Sequence, residues 1–154
     1  MALETSGIAV LTEHDIYLFR EGTHARLHEH LGCHPVTGGE GAHFAVWAPN
    51  ARAVSVIGDW NGWDGNADPL QPRWDGSGIW EAFVAAARCG QAYKYRIASA
   101  SGAPIADKSD PFAFSCEEPP RTASRVWSLD YVWNDADWMA SRHARNALDA
   151  PMSI

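Results

Sequence analysis

Short runs in which apolar and polar residues alternate fill the chain between residues 41 and 133. The clearest runs cover residues 43–48, 54–56, 79–84 and 93–97, and clusters of Gly, Pro, Asn and Asp separate them. A period of two places one face of a strand against a core. Many short strands divided by turns are typical of a sandwich of two antiparallel sheets. The sequence therefore predicts a mainly β protein, an immunoglobulin-like antiparallel β-sandwich over residues 41–133.

The two flanking segments have helical spacing instead. In residues 1–40, Thr12 is a candidate helix N-cap with Asp15 three residues later, the spacing of a capping box. Gly22 interrupts the apolar pattern, which predicts two short helices rather than one. Residues 134–154 predict a further helical turn and end on an apolar run, whereas a natural terminus is usually polar. We interpret this last segment as a linker towards a further domain.

Composition and charge narrow the range of partners. A chain of 154 residues with 46% hydrophobic residues can form one domain with a core. The net charge is −7 with only two lysines, so nucleic acids and anionic membrane surfaces are unsuitable partners. No signal peptide or membrane span is recognisable, which predicts a cytoplasmic protein. An odd number of cysteines without a CxxC pair predicts reduced thiols; they are Cys33, Cys89 and Cys116.

The histidines invite a metal-site hypothesis. His24 and His28 are four residues apart, as are His30 and His34, so each pair shares a helix face. No HExxH motif or grid of Cys and His accompanies them. We interpret them as surface or partly buried helix histidines and expect no metal and no other cofactor.

The loop over residues 58–65 has the residues that sugar binding needs. Sugars present flat C–H faces and a rim of hydroxyl groups, and an indole ring with short polar groups beside it matches both. Trp60 and Trp63 flank Asn61 and Gly62, a strong tight-turn signal. The alternative that both rings fill the edge of the sandwich stays open from composition alone. Placement in a loop predicts that Trp63 is partly exposed.

Strand placement predicts the opposite for two other tryptophans. We expect Trp47 or Trp80 to be mostly buried, since both lie in strand-like runs.

In the run 93–97, alternation places both tyrosines on one face and Lys94 on the other. If the tyrosines face the core, Lys94 points to solvent, either as an ordinary strand lysine or as a donor to sugar hydroxyls.

No catalytic arrangement is readable in the chain. A glycosidase needs two carboxylates that flank the bound sugar, but the acidic residues lie mostly in loops without a readable pairing. The chain also lacks a GxSxG elbow, a P-loop and a dinucleotide fingerprint. The residues therefore favour binding or packing over catalysis.

Several segments, in order, resemble the amino-terminal region of bacterial 1,4-α-glucan (glycogen) branching enzymes. The resemblance covers nearly the whole chain from Tyr17 onward, and the several motifs in the right order make it specific. The segments are LFREGTH (18–24), HFAVWAPN (43–50), VSVIGDWNGW (54–63), GIWE (78–81), YKYRI (93–97), DPFA (110–113) and PRTAS (120–124).

This resemblance implies a carbohydrate-binding module of family 48 that binds α-glucan. The module is also similar to the glycogen-binding module of the AMP-activated protein kinase β subunit. There the tryptophan that closes the NGW-type loop stacks on glucose and a strand lysine contacts the sugar, which implies these roles for Trp63 and Lys94. A threonine and a polar residue of the last loop correspond to Thr122 and Ser124. Two loop neighbours, Trp60 and Asn61, complete the candidate site.

Two departures from the family pattern bear on the strength of binding. The kinase module has a second stacking tryptophan soon after the lysine strand, but residues 100–105 here contain no aromatic residue. Trp60 stands where the family usually has Phe, which we interpret as a change in packing. One stacking ring instead of two implies weak binding or a mainly structural role.

The family's transferase reaction uses an aspartate and a glutamate on a (β/α)₈ barrel of about 250 residues. None of those catalytic residues corresponds to a residue of this chain, so the chain is not expected to be an enzyme by itself. Residues 147–154 are similar to the family's approach to the barrel, which makes the barrel an expected partner. Two alternatives stay open: a packing domain that braces the barrel with little glucan affinity, and a free-standing regulatory glycogen-binding module.

Overall fold

The computed structural model describes residues 11–36, 38, 40–101 and 106–145. These residues form two four-stranded antiparallel sheets, accompanied by short helices. The strands are β1 (Gly32–Pro35), β2 (Ala42–Trp47), β3 (Ala51–Gly58), β4 (Gln71–Pro72), β5 (Ile79–Val84), β6 (Ala92–Ser99), β7 (Ser115–Cys116) and β8 (Ser124–Arg125). The helices are α1 (Glu13–Glu21), α2 (Ala136–Arg145) and two 3₁₀ turns, Leu27–Glu29 and Asp59–Asn61.

The strands divide into a first sheet with the order β1-β2-β5-β4 and a second sheet with the order β3-β6-β8-β7. The predicted two-sheet sandwich is thereby confirmed, and the four alternating runs lie in β2, β3, β5 and β6. Strand β1 lies in the segment that we expected to be a helical extension. It pairs with β2 through Cys33 and Phe44, so the first sheet begins before residue 41.

The core lies between the sheets because the alternating positions of both sheets face inward. Phe44 and Val56 are fully buried there, as are Tyr93 and Tyr95. This burial confirms the alternation in β6 and turns Lys94 to the opposite, outer face of the second sheet.

The two buried tyrosines converge on one carboxylate. The Tyr93 and Tyr95 hydroxyls donate to Asp110 Oδ2 at 2.6 and 3.2 Å, and Asp110 is 5% exposed. Burial raises the pKa of Asp110, although these hydrogen bonds oppose that effect. Burial also raises the pKa of both tyrosine hydroxyls, which therefore stay protonated and donate. This network holds the segment around Asp110, which follows β6 in the chain, against the core.

Helix α1 covers the outer face of the first sheet. Its buried residue Ile16 packs with Leu31 and with two residues on that face, Ala45 and Ile79. The second predicted helix is the 3₁₀ turn Leu27–Glu29. The two short helices are thus confirmed, and Gly22 ends the first in a left-handed conformation with φ 71°, a conformation that glycine adopts without strain.

The predicted capping box at the start of α1 is present. Asp15 N donates to Thr12 Oγ1 at 3.2 Å, and Asp15 Oδ2 accepts from Thr12 N at 2.8 Å and from Thr12 Oγ1 at 2.6 Å. These bonds to the ionised carboxylate are the main reason that the pKa of Asp15 falls to about 2.

The capping box gives a pH-dependent prediction. Because the pKa of Asp15 is lower in the folded chain than the ordinary 3.8, its contribution to stability is present above pH 3.8 and is lost as the pH falls towards 2. Unfolding free energies of the chain and of Asp15→Asn, measured by urea denaturation, are expected to differ by about 1 kcal/mol at pH 6. The difference should shrink steadily between pH 4 and pH 2. A constant difference across this range would contradict the assignment.

The placement of the strand tryptophans is only partly as predicted. Trp47 is not buried but 54% exposed, because it is an outer-face residue of β2. Its indole N–H donates to Ser77 O at 3.2 Å. Trp80 is half-buried, packs against the core from the inner face and donates to Ala48 O at 3.0 Å. The expectation of a mostly buried strand tryptophan was therefore wrong for Trp47.

After β8 the chain leaves the sandwich with a run of apolar side chains in solvent. Their exposed fractions range from 46 to 91%, and they are Trp127, Leu129, Tyr131, Val132 and Trp133. The predicted C-terminal helical turn is α2, where Trp138 and Met139 are about half-exposed. Residues 146–154, which carry the apolar end of the sequence, lie outside the described residues.

Two further expectations can be compared with the described part of the chain. Each of the three cysteines carries a free thiol, with Cys33 buried and the other two exposed. Burial raises the pKa of the Cys33 thiol far above its usual value, which keeps it unreactive. Among the described residues, no helix has the length and apolar character needed to cross a bilayer.

Candidate functional site

The loop after β3 is held together by the side chain of one asparagine. Asn61 Oδ1 accepts from Gly58 N at 2.9 Å and from Trp63 N at 3.1 Å. Its Nδ2 donates to Val56 O at 3.1 Å and to Asp68 Oδ2 at 2.7 Å. These four bonds use the donor and acceptor capacity of the amide. Asn61 therefore shapes the loop and is not available to a ligand, contrary to its assignment as a sugar contact.

Trp60 also has a structural role, because it packs against the core. Its ring lies 5.6 Å from the ring of Phe44 and packs against the core, while its indole N–H donates to Asp68 Oδ2 at 2.9 Å. The half-buried Trp60 thus closes the edge of the sandwich, the alternative that the sequence left open for both loop tryptophans. This placement agrees with a packing change at Trp60, while its role as a sugar contact stays a prediction.

Trp63 differs from Trp60 because it is partly exposed and adopts an unusual backbone conformation. Its φ of 63° follows a φ of 62° at Gly62, and a left-handed φ is uncommon for a bulky residue. Trp63 N donates to Gly58 O at 3.1 Å, which closes the turn. Its indole N–H makes no hydrogen bond to the described residues. Strain of this kind occurs at functional sites more often than elsewhere.

Lys94 and Thr122 lie together on the outer face of the second sheet. Lys94 Nζ donates to Thr122 Oγ1 at 2.7 Å, and the carbonyl of Thr122 accepts from the hydroxyl of Ser109. Thr122 is exposed and Lys94 is half-buried. The structure therefore brings together two of the residues that the family resemblance selected.

Ser124, the last of the predicted contacts, is placed elsewhere. It is fully buried, and its Oγ accepts from Asp110 N at 2.9 Å. A sugar cannot reach this hydroxyl from the surface. Ser124 is buried as the first residue of β8, whereas Thr122 lies in the exposed loop before that strand.

Two residues that the sequence analysis did not select connect the loop to the strand. Arg96 Nε and Nη2 each lie 3.0 Å from a different oxygen of Asp107, a two-fold ion pair. Arg96 Nη1 also donates to Trp63 O at 3.5 Å. The hydrogen bonds from Arg96 lower the pKa of Asp107, so the pair stays charged. Alternation in β6 places Arg96 on the same face as Lys94, but no local signal in the sequence points to Asp107.

Together these residues form a continuous strip, which we call the Trp63 face and define as Trp63, Arg96, Lys94 and Thr122. Arg96 and Lys94 are two residues apart on β6 and therefore point to the same side. Ile57 is the cross-strand partner of Lys94 and therefore lies on the same face of the sheet, where it is fully buried. The Trp63 face combines a partly exposed ring, two cationic side chains and a hydroxyl group.

The histidines on the opposite side of the molecule form a compact cluster with Asp15. His24 Nε2 lies 3.0 Å and His30 Nε2 3.7 Å from Asp15 Oδ1, with both rings nearly buried. These are not the pairs four residues apart that the sequence suggested. Because His24 Nδ1 accepts from Arg26 N at 3.1 Å, its ring proton lies on Nε2 and donates to Asp15. His24 thus presents a donor where a metal would need a lone pair.

Comparison with known proteins identifies relatives for most of the chain. Residues 30–113 match the family model of carbohydrate-binding module 48, also described as the isoamylase N-terminal domain. The chain is 64% identical over 143 residues to a 1,4-alpha-glucan branching enzyme of Albidiferax ferrireducens, covering 93% of this chain and 23% of that enzyme. It is 49% identical over 148 residues to the enzyme of the same name from Aquifex aeolicus, covering 95% of this chain and 23% of that enzyme.

The chain therefore spans about a quarter of the length of these curated relatives. Among solved structures, a putative alpha amylase from Salmonella typhimurium superposes with a TM-score of 0.53 and 20% identity, covering 70% of this chain and 16% of that protein. A maltotriose complex of a pullulanase mutant from Klebsiella pneumoniae superposes with a TM-score of 0.51 and 23% identity, covering 64% of this chain and 11% of that protein. At these identities the similarity shows the fold alone.

Proposed function

Because the chain belongs to the carbohydrate-binding module 48 family, we propose that it is a non-catalytic module that binds α-glucan across the Trp63 face. The observation that carries this proposal is the strip itself, in which Arg96 connects a strained, partly exposed Trp63 to the part of β6 where Lys94 and Thr122 contact each other. The names of the relatives support a longer 1,4-α-glucan branching enzyme as the parent protein. In that setting the module would hold the enzyme near glycogen or guide a glucan chain.

The composition of the face predicts weak binding. It supplies one ring for stacking, and its polar groups compete with water for the sugar hydroxyls. A dissociation constant for maltoheptaose of about 0.1–1 mM, or roughly 4–5.5 kcal/mol, is reasonable for such a site.

Sedimentation with insoluble polysaccharide tests the proposal. The chain is expected to sediment with amylose, to be released by soluble maltoheptaose and to stay in solution with cellulose, which has the same sugar in a different linkage. If the chain sediments equally with both polysaccharides, or with neither, the proposed function is wrong.

The role of Lys94 can be tested separately, because the chain has a matched control. Lys94→Met keeps the apolar stem and removes the ammonium group, so affinity for maltoheptaose is expected to fall about 3–10-fold, the value of one solvent-competing hydrogen bond. Lys108 is the only other lysine, and its backbone rather than its side chain pairs with Tyr95. Lys108→Met should bind like the unchanged chain in calorimetric titrations. An equal loss in both variants would show a general effect of charge rather than a contact.

A second candidate role, bracing a neighbouring domain, is favoured by the exposed run after β8. Val132 is 91% and Trp133 74% exposed, and adjoining apolar side chains in solvent usually mark a protein contact. We propose that this run packs against a further part of the longer protein, for which the catalytic barrel of a branching enzyme is the expected partner.

The isolated chain is expected to self-associate through the same run. Light scattering should give a molar mass that rises with protein concentration, and a variant with Val132→Ser and Trp133→Ser should stay monomeric, since the apolar area is reduced. A monomeric chain at millimolar concentration, or unchanged association in the variant, would contradict this role for the run.

A further inference from the structure

A second aromatic groove lies on the opposite side of the sandwich from the Trp63 face. It runs between α1 and the turn that joins β4 to β5, whereas the Trp63 face lies on the outer side of β6. The residues that line it and are used below are Glu13, Tyr17, Arg20, Arg73, Trp74 and Asp75.

The two rings of this groove are unusually exposed. Trp74 is 82% and Tyr17 59% exposed. An indole and a phenol in solvent give up the burial that normally stabilises such large side chains. Exposed aromatic rings in a groove therefore indicate a ligand surface.

The base of the groove is rigid. Arg73, whose side chain is 8% exposed, lies 2.8 Å from Asp75 Oδ2 and 3.0 Å from Glu81 Oε2. From α1, Arg20 Nη2 donates to Asp75 O at 2.5 Å. These contacts connect the helix to the turn that carries Trp74, so the backbone of that turn is already ordered before a ligand binds.

The charges around the rings identify the class of ligand. Three acids, Glu13, Asp75 and Glu81, lie around the two arginines, so the groove carries little net charge and has no strong attraction for polyanions. Glu13 is exposed, and its carboxylate makes no hydrogen bond to the described residues. Aromatic rings with planar charged groups of both signs, available for hydrogen bonds, suit a neutral polyhydroxylated chain.

We propose that this groove is a second α-glucan-binding site, with Trp74 and Tyr17 as stacking rings and with Arg20 and Glu13 bonding to hydroxyl groups. The assignment of the sugar as an α-glucan rests on the proposed function of the Trp63 face. The two sites face away from each other, so a branched glucan particle can occupy both through different outer chains. Two weak sites joined in this way bind a particle more tightly than either binds a short chain.

NMR of the indole N–H groups tests both sites in one titration. The chain is labelled with ¹⁵N, and the signals of Trp63 and Trp74 are assigned from the variants Trp63→Phe and Trp74→Phe. On addition of maltoheptaose to 10 mM, both signals are expected to shift with dissociation constants in the millimolar range or below, while the signal of Trp133 in the exposed run should not move. Trp74→Ala should weaken affinity for glycogen by at least threefold more than affinity for maltoheptaose, since only the particle engages two sites.

The possible failures are distinguishable. A shift of Trp63 without a shift of Trp74 overturns the second site and leaves the proposed function intact. A shift of Trp74 alone supports the second site and contradicts the Trp63 face, and no shift of either signal contradicts both. A Trp74 signal that moves with protein concentration in the absence of sugar assigns the groove to a second copy of the chain and overturns the proposal.

Discussion

Replacing Trp63 with alanine is expected to weaken maltoheptaose binding by at least tenfold, from a dissociation constant below 1 mM to one of several millimolar. Tenfold corresponds to about 1.4 kcal/mol, which is within the range of roughly 1–3 kcal/mol for a base stacked on an aromatic ring, a comparable contact. No other ring among the residues that define the Trp63 face replaces it. Calorimetric titration of the chain and the variant measures the loss.

Two controls separate stacking from general effects of removing a tryptophan. Trp63→Phe keeps a ring at the same position and should recover affinity to within about threefold, because a smaller ring still covers part of a sugar face. Trp133→Ala removes an equally large ring from the exposed run after β8 and should leave affinity unchanged. If Trp63→Ala binds as tightly as the unchanged chain, the Trp63 face is not the site.

The largest expected effect on stability comes from the carboxylate in the core. Asp110→Ala is expected to lower the free energy of unfolding by about 2–4 kcal/mol, since each buried donor left without a partner costs roughly 1–3 kcal/mol. The variant would leave the hydroxyls of Tyr93 and Tyr95 without their shared acceptor and Phe112 N without Asp110 Oδ1, which lies 2.8 Å from it. Urea denaturation at pH 7 should show the loss as a lower midpoint with little change in slope.

Asp110→Asn tests whether the shape of the network or the charge matters. The amide keeps one acceptor oxygen and nearly the same volume, so the loss should be about half that of the alanine variant. Glu118 is exposed, and Glu118→Ala should change stability by no more than about 0.5 kcal/mol. A loss for Asp110→Ala as small as that for Glu118→Ala would contradict the structural role of the network.

The parts of the fold that the sequence predicted are those fixed by local periodicity. β6 follows from alternation, β2 and β5 follow from short runs bounded by turn residues, and α1 follows from its cap and its glycine stop. Strand β1 was not predicted because its four residues include a glycine and a proline, which are unfavourable in strands. Its pairing depends on β2, which is a tertiary contact rather than a local preference.

Trp47 shows where periodicity was applied incompletely. Alternation assigned Phe44 and Val46 to one face of β2 and Trp47 to the other, but a large apolar residue in a strand was expected to be buried. The outer face of the first sheet is covered by α1 over Ala45 and Ile79, while Trp47 contacts the edge of Phe19 and stays exposed. Which face of a sheet a helix covers cannot be read from the period of a strand.

The candidate site was predicted by residue type and corrected by geometry. Residue types suitable for sugar contact are also suitable for shaping a loop, and the sequence could not separate Trp63 from Trp60 and Asn61. The separation follows from Asp68, which accepts hydrogen bonds from both of the latter and holds them inward. The contact between Arg96 and Asp107 likewise could not be predicted, because the two residues are eleven positions apart in the sequence and no motif connects them.

A crystal structure of the chain with maltoheptaose would show whether α-glucan binds across the Trp63 face. We expect a glucose unit stacked on the Trp63 ring, with a sugar hydroxyl within about 3 Å of Lys94 Nζ or Thr122 Oγ1. Maltoheptaose bound only at surfaces away from Trp63, with the contact between Lys94 and Thr122 untouched, would contradict it.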